Sequence, residues 1–150
     1  MCSDVVSTHS RDKILFPYAV EGEPLKRVKV KTDLGVIIDE KLSFNEHVDH
    51  MTRKAYRMLG FIFRCGRHFL CQSSMNLLYS SLVRNRLEYC STVWNPFYLN
   101  SIDQIKRVQK KFTRMFYFKF RIAHPRPPYN ERLEHLKIRS LETRRLKTTK

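Results

Sequence analysis

The spacing of apolar residues changes from a strand-like to a helical pattern close to residue 43. Before that point, short apolar runs rich in β-branched residues at 14–20, 25–30 and 34–38 predict three strands. Glu21–Pro24, between the first two runs, contains a glycine and a proline, which predicts a hairpin with a four-residue loop. Three short strands form a small sheet only if one face is covered, and we expect the first helix to cover it.

The first helix is predicted from Phe44 to about Cys65, because apolar residues recur there every three or four positions and Gly66 follows. Ser43 and Glu46 have the spacing of a capping box at its start. The apolar positions are Phe44, Val48, Met51, Ala55, Leu59 and Ile62. The opposite side carries Arg53, Lys54, Arg57 and Arg64. Taken alone, such a face is more typical of a solvated surface than of a nucleic-acid contact.

Further helices are predicted downstream. A second helix is predicted to begin near Ser73. Further along the chain, the following side chains are predicted to belong to the core: Leu87, Tyr89, Val93 and Trp94. A third is predicted from Ile102 to about Phe120, opened by a capping box that consists of Ser101 and Gln104. Prolines at 125, 127 and 128 break the helical pattern. A short helix from Tyr129 and a last helix capped by Ser140 follow.

The helix predicted from Ile102 has two distinct faces. Its apolar face is formed by Ile102, Ile105, Val108, Phe112, Met115 and Phe116. Its basic face is formed by Lys106, Arg107, Lys110, Lys111 and Arg114, with no acidic residue between them. This density favours contact with phosphate groups over a merely solvated face. Lys106, Lys110 and Arg114, at successive turns, are expected to meet a duplex first.

These patterns predict a mainly α fold: a helical bundle of four to five helices preceded by a small β-hairpin region. The predicted division places the β region at 1–42 and the helical domain at 43–150. With 42% hydrophobic residues in 150, the chain can bury a core of its own.

The net charge is strongly positive and unevenly distributed. The chain holds 29 Lys and Arg residues against 14 Asp and Glu, a formal charge of +15. Residues 101–150 alone contribute 15 basic and 4 acidic residues. An excess of this size attracts polyanions, so nucleic acid is predicted to meet mainly the last third, together with Arg53 and Arg57.

The stretch from Asp33 to Val48 resembles a motif that follows the catalytic palm in reverse transcriptases of jockey-like, LINE-type non-LTR retrotransposons. That motif runs D-L-G-V-x-x-D-x-x-L-x-F-x-x-H-[IV]. Every fixed position is met here, by Asp33, Leu34, Gly35, Val36, Asp39, Leu42, Phe44, His47 and Val48.

Three further segments are similar to the same family: 81–96, 102–114 and 129–145. Two departures are visible. Asn85 stands where many relatives carry proline, and Lys106 stands where an acidic residue is frequent. The order and spacing of the four segments make the resemblance more specific than any one of them, and together they extend from residue 33 to residue 145, over most of the chain.

The resemblance implies the end of a palm followed by a thumb, with an RNA/DNA template–primer duplex as partner and the rest of the palm as a possible second partner. It also implies that Leu34, Gly35 and Val36 belong to a hairpin like the one that grips the primer end. A hairpin that only buries the helix is an equally good interpretation. The palm of the family uses magnesium held by paired aspartates. This chain has no adjacent Asp pair, so we expect no catalytic residues, no cofactor and no polymerase activity of its own.

Two other functions stay open: a free-standing basic helical module that binds RNA or DNA, and a protein-interaction domain. No signal sequence or apolar run of membrane length is present, and the four cysteines form no Cys-x-x-Cys pair, so we expect an intracellular protein with reduced thiols and no membrane partner. Cys65, His68 and Cys71 lack an obvious fourth ligand nearby, which disfavours a zinc site.

Overall fold

A computed structural model describes residues 4–6, 18–66, 71–122, 125 and 127–148. The chain divides into two compact units, Met1–His47 and Val48–Lys150. The predicted class is confirmed: the fold is mainly helical, and short strands precede the helices. Most of the first predicted strand, at 14–17, and His68 of the weighed zinc site lie outside the described residues.

In its described residues, 4–6 and 18–47, the first unit contains three small two-stranded sheets. Their strands are β1 (Asp4–Val6), β2 (Ala19–Val20), β3 (Glu23–Pro24), β4 (Lys26–Val28), β5 (Val30–Asp33) and β6 (Val36–Asp39). The pairs β2–β3 and β5–β6 are antiparallel, whereas β1 and β4 are parallel. The run predicted as one strand at 25–30 is therefore divided, because β4 pairs with β1 and not with β2.

Both antiparallel pairs are closed by two-residue turns in which both residues have positive φ. These angles are 51° and 86° at Glu21 and Gly22, and 44° and 82° at Leu34 and Gly35. Positive φ at both positions matches the right-handed twist of the flanking strands. The loop between β2 and β3 therefore has two residues, and not the predicted four. The predicted strand at 34–38 was wrong at its start, because Leu34 and Gly35 form the turn and β6 begins at Val36.

Asp39 organises the segment between β6 and the first helix. Its carboxylate accepts hydrogen bonds from the Ser43 amide (3.1 Å), the Ser43 hydroxyl (2.9 Å) and the Phe44 amide (2.8 Å). Burial alone would raise the pKa of Asp39, but these hydrogen bonds together outweigh it and lower the pKa. The predicted capping box was wrong. In a capping box the Glu46 side chain would accept a hydrogen bond from the Ser43 amide, but this amide donates to the Asp39 carboxylate instead.

The helices are α1 (Asn45–Cys65), α2 (Gln72–Leu78), a π-helical segment (Tyr79–Arg84), α3 (Asn85–Glu88), α4 (Ser91–Trp94), α5 (Leu99–Phe120), α6 (Tyr129–His135) and α7 (Leu141–Thr148). No residue separates α2, the π-helical segment and α3. The Asn85 amide donates to the Ser80 carbonyl and so continues the wide π-helical turn. Proline at position 85 has no amide hydrogen to donate there.

The core of the second unit is formed by apolar faces of its helices. On α1, the predicted positions from Val48 to Ile62 are all buried. On α5, Ile105, Val108, Phe112 and Phe116 are fully buried. Helix α5 also packs against α6 and α7. The predicted apolar faces of both long helices are therefore confirmed at these positions.

Two local predictions were wrong around the start of α5. Tyr89 and Val93, predicted to be core residues, are exposed, because Cys90 between α3 and α4 adopts a left-handed conformation (φ 51°) that changes the chain direction. Ser101, predicted as a cap, is buried inside α5, which begins at Leu99. Its predicted partner, Gln104, binds α1 instead.

Candidate nucleic-acid interface

Helices α1 and α5 lie side by side and run in the same direction. Their contacts occur in the same order along both helices: Asp49 with Gln104, Tyr56 with Lys111, and Gly66 with Lys119. The side chain of Gln104 donates to Asp49 (2.7 Å), and the Lys119 amine donates to the Gly66 carbonyl. The parallel arrangement places the exposed side of α1 next to the exposed side of α5.

Exposed cations of the two helices share this side, which we call the α1–α5 basic surface. It consists of Arg53, Arg57 and Arg64 on α1 and of Arg107, Lys111 and Arg114 on α5. All six residues are exposed. Arg53 and Arg57, predicted from sequence as nucleic-acid contacts, thus belong to the same surface as three of the five predicted cations of α5.

Tyr56 lies half-buried between the two rows of cations. The Lys111 amine is 5.0 Å from the centroid of its ring, a cation–π contact. Burial raises the pKa of Tyr56, and the nearby Arg107 and Arg114 partly offset this rise. Because Tyr56 is on α1, these interactions place the α5 cations close to the α1 side of the surface.

The other two predicted cations of α5 lie towards a different set of neighbours. The Lys106 amine is 3.5 Å from the Glu142 carboxylate of α7. The Lys110 amine is 5.8 Å from the ring centroid of Tyr129, the first residue of α6. The three residues of the predicted row therefore have different neighbours: Glu142 of α7 for Lys106, Tyr129 of α6 for Lys110, and Tyr56 of α1 for Arg114.

His50 reports the electrostatic field along α1. Burial lowers the pKa of His50, and Lys54, Arg53 and Arg57 lower it further. The neutral form stabilises the fold at and above the unfolded pKa of about 6.5, and this contribution is lost as the pH falls through the folded value.

We expect Arg57→Glu to raise the pKa of His50 in an NMR titration of the imidazole, while Arg86→Glu leaves it unchanged. Equal shifts in both variants would contradict this local field.

Gln109 was missed by the sequence analysis and is fully buried on α5. Its amide oxygen accepts hydrogen bonds from the Tyr129 hydroxyl (2.9 Å) and the Leu141 amide (3.1 Å), and its amide nitrogen donates to the Arg139 carbonyl (2.9 Å). Burial raises the pKa of Tyr129 to about 12, so its hydroxyl remains a donor. One residue thus binds the start of α6, the segment after it and the start of α7. The sequence signals were its position between Val108 and Phe112 and the glutamine that the resembling family motif has at this place in the segment 102–114.

The positive charge of α7 is used inside the second unit. Arg144 donates to both carboxylate oxygens of Glu88, at 2.5 and 3.1 Å. The guanidinium of Arg145, which is buried, lies 5.9 Å from the ring centroid of Trp94. These contacts attach α7 to α3 and α4, so part of the basic excess of the last third stabilises the fold.

The three residues that resemble a primer-gripping hairpin lie in the first unit. Leu34 and Gly35 form the β5–β6 turn, where Leu34 is 81% exposed, and Val36 begins β6 and is buried. Along the outer edge of β6, the Ile37 amide donates to Nδ1 of His47 (3.3 Å). Both the turn and this edge contact involve residues of the motif at 33–48.

Within the described ranges, no group of three or more His, Cys, Asp and Glu side chains is arranged to hold a metal ion. In the same ranges, no helix combines the length and the apolar character needed to cross a membrane.

Fold and surface together define a small, mainly helical, basic module. No protein-family profile matches the chain, and no solved structure matches it at a significant level. The chain is similar to the uncharacterized protein B0403.1 of Caenorhabditis elegans, with 26% identity over 114 residues. The match covers 76% of this chain and 56% of that protein, so the chain spans about half the length of the relative.

Proposed function

We propose that this chain is a non-catalytic module that holds the sugar–phosphate backbone of an RNA/DNA template–primer duplex. The observation that carries the proposal is the α1–α5 basic surface, in which two parallel helices present six exposed cations on one side. Cations on a helical surface bind phosphate oxygens, and such contacts fix the position of a duplex without reading its sequence. Arginine suits this role because its guanidinium can bind phosphate through two hydrogen bonds.

The distribution of acidic residues concentrates the positive charge at one end of this surface. Asp49 lies 4.0 Å from Arg53, and Asp103 lies 2.8 Å from Arg107, both near the starts of the helices. These carboxylates partly neutralise the first cation of each row. The strongest phosphate contacts are therefore expected further along, at Arg57, Arg64, Lys111 and Arg114.

The resemblance to non-LTR retrotransposon reverse transcriptases gives this binding a context. In that context the second unit acts as a thumb, and RNA-directed DNA synthesis takes place in a palm with paired aspartates and magnesium, while this chain supplies grip on the duplex. The hairpin at Leu34, Gly35 and Val36 would contribute at the primer end. A free-standing RNA- or DNA-binding module would use the same cations, but it would bind without preference for a recessed primer end.

The proposal is tested by reversing three cations of the surface to glutamate: Arg57, Lys111 and Arg114. We expect affinity for an RNA/DNA hybrid with a recessed end to fall at least about 100-fold, and the salt dependence to fall by up to about three phosphate contacts. A matched control reverses three exposed cations outside the surface: Arg86, Lys137 and Arg139. It carries the same charge change and is expected to lose much less. Equal losses in both variants, or no loss in the first, would overturn the proposal.

A protein-interaction domain is the second candidate, and exposed apolar side chains favour it. Phe97 is 92% exposed, Leu99 is 81% exposed and Phe118 is 78% exposed. This function predicts binding to a protein partner that changes little with salt and survives the charge reversal. Binding to nucleic acid predicts the opposite on both counts.

A further inference from the structure

Gly60 is an unexplained glycine in the interior of α1. Glycine in a helix interior is destabilising relative to alanine, because it loses more backbone freedom on folding. The glycines with positive φ in the described part of the chain are Gly22 and Gly35, so the backbone of Gly60 is one that any residue can adopt. Its conformation therefore does not require glycine.

Packing does not require glycine at this position either. Among the described residues, a Cβ atom added to Gly60 would approach only the side chain of Arg64, at 3.6 Å from Nη1 and 4.0 Å from Cζ. These are ordinary van der Waals distances to the end of a flexible side chain. Within the same described residues, no atom of α5 lies within 4 Å of that added Cβ atom, so close packing against α5 does not require a glycine at position 60.

Gly60 lies within the α1–α5 basic surface. At about 100° per residue, it is about 60° from Arg57 and about 40° from Arg64 around α1. The pairings of Tyr56 with Lys111 and of Gly66 with Lys119 place it level with residues 112–115 of α5, a stretch that includes Arg114. Gly60 thus has no side chain of its own, and the Arg64 guanidinium lies over it, at the end of the surface that carries the most positive charge. We call this part of the surface the Gly60 notch, formed by Gly60, Arg57, Arg64, Lys111 and Arg114.

We propose that the Gly60 notch binds one phosphodiester group of the duplex backbone. The proposal rests on the proposed function and names the point of closest approach. Because Gly60 has no side chain, a phosphate bound to the Arg64 guanidinium can lie closer to α1 there than at neighbouring positions, on the side that also carries the exposed cations of α5. The Arg64 guanidinium, which lies across Gly60, is already in place to bind the phosphate from the side.

The test fills the notch without changing any charge. Gly60→Ala fits the available space, so we expect it to raise the midpoint of urea unfolding and yet to weaken binding of the recessed-end hybrid a few-fold. Gly60→Leu should weaken binding about tenfold and lower the salt dependence by about one phosphate contact. Cys65→Leu places the same side chain at an exposed position of α1, about 140° away around the helix, and should bind like the parent.

The outcomes separate this inference from the proposed function. If Gly60→Ala and Gly60→Leu bind with the affinity and salt dependence of the parent, while the reversal of Arg57, Lys111 and Arg114 abolishes binding, the notch is not a phosphate site and the proposed function stands. If that reversal also leaves binding intact, both proposals fail. Weakening by Cys65→Leu equal to that by Gly60→Leu would mean that bulk anywhere on α1 disturbs binding, which overturns the notch.

Discussion

Replacement of Gln109 by leucine is expected to destabilise the second unit by about 3–5 kcal/mol, since a buried polar group left without its partner costs about 1–3 kcal/mol. Leucine fills a similar volume but offers no polar atom. The Tyr129 hydroxyl, the Leu141 amide and the Arg139 carbonyl would each lose the bond that Gln109 provides. The loss falls on the segment that holds α6 and α7 against α5.

Urea unfolding followed by circular dichroism measures this cost. Gln104→Leu is a matched control, because Gln104 is the same residue type on the same helix and also binds through its side-chain amide. Gln104 is only half-buried, so water can replace its bonds to α1 and the expected loss is about 1 kcal/mol. Similar losses in the two variants would show that the buried hydrogen bonds of Gln109 contribute no more to stability than the half-buried ones of Gln104.

The burial of Gln109 could not be predicted from the sequence. A glutamine within a run of apolar and basic residues is normally assigned to the surface, because polar side chains are seldom fully buried. Its burial depends on three partners that lie 20 to 32 residues further along the chain. Helical periodicity carries no information on such partners, so the predicted buried face of α5 was narrower than the face that is buried in the structure.

Helix ends were predicted less well than helix faces for a similar reason. A capping box is a local pattern, and Ser43–Glu46 and Ser101–Gln104 both have its spacing. In the structure, the Ser43 amide donates a hydrogen bond to Asp39, and the Gln104 side chain donates one to Asp49 of α1. Ser140, by contrast, does cap α7 by accepting from the Thr143 amide at 3.1 Å.

The sequence predicted on which helices the candidate cations lie, but not which cations of the two helices lie side by side. Charge density singled out five cations on α5 and two on α1, and each is placed by the structure on a long helix. Which cations act together depends on the neighbours of α5: α1 on one flank, α6 and α7 on the other. A helical wheel gives angles around one helix and cannot identify these neighbours.

Phe112→Ala is expected to destabilise the second unit by about 3–5 kcal/mol, the usual cost of removing a buried phenylalanine side chain. Phe112 is fully buried, and its ring stacks on Tyr79 with centroids 3.9 Å apart and an interplanar angle of 11°. Phe63 of α1 and Phe116 of α5 lie 6.1 and 5.8 Å from it, centroid to centroid. The ring therefore joins α1, α5 and the π-helical segment, and its removal leaves a cavity where all three meet.

Phe118→Ala on the same helix is the matched control. Phe118 is 78% exposed, so its truncation should change the free energy of unfolding by no more than about 0.5 kcal/mol. Because neither change touches a cation, protein that is still folded at low temperature should bind the hybrid with the salt dependence of the parent. If Phe112→Ala costs as little as Phe118→Ala, the stacked rings do not hold these helices together. If folded Phe112→Ala loses salt-dependent binding, the core fixes the spacing of the cations more strictly than exposed, flexible side chains would require.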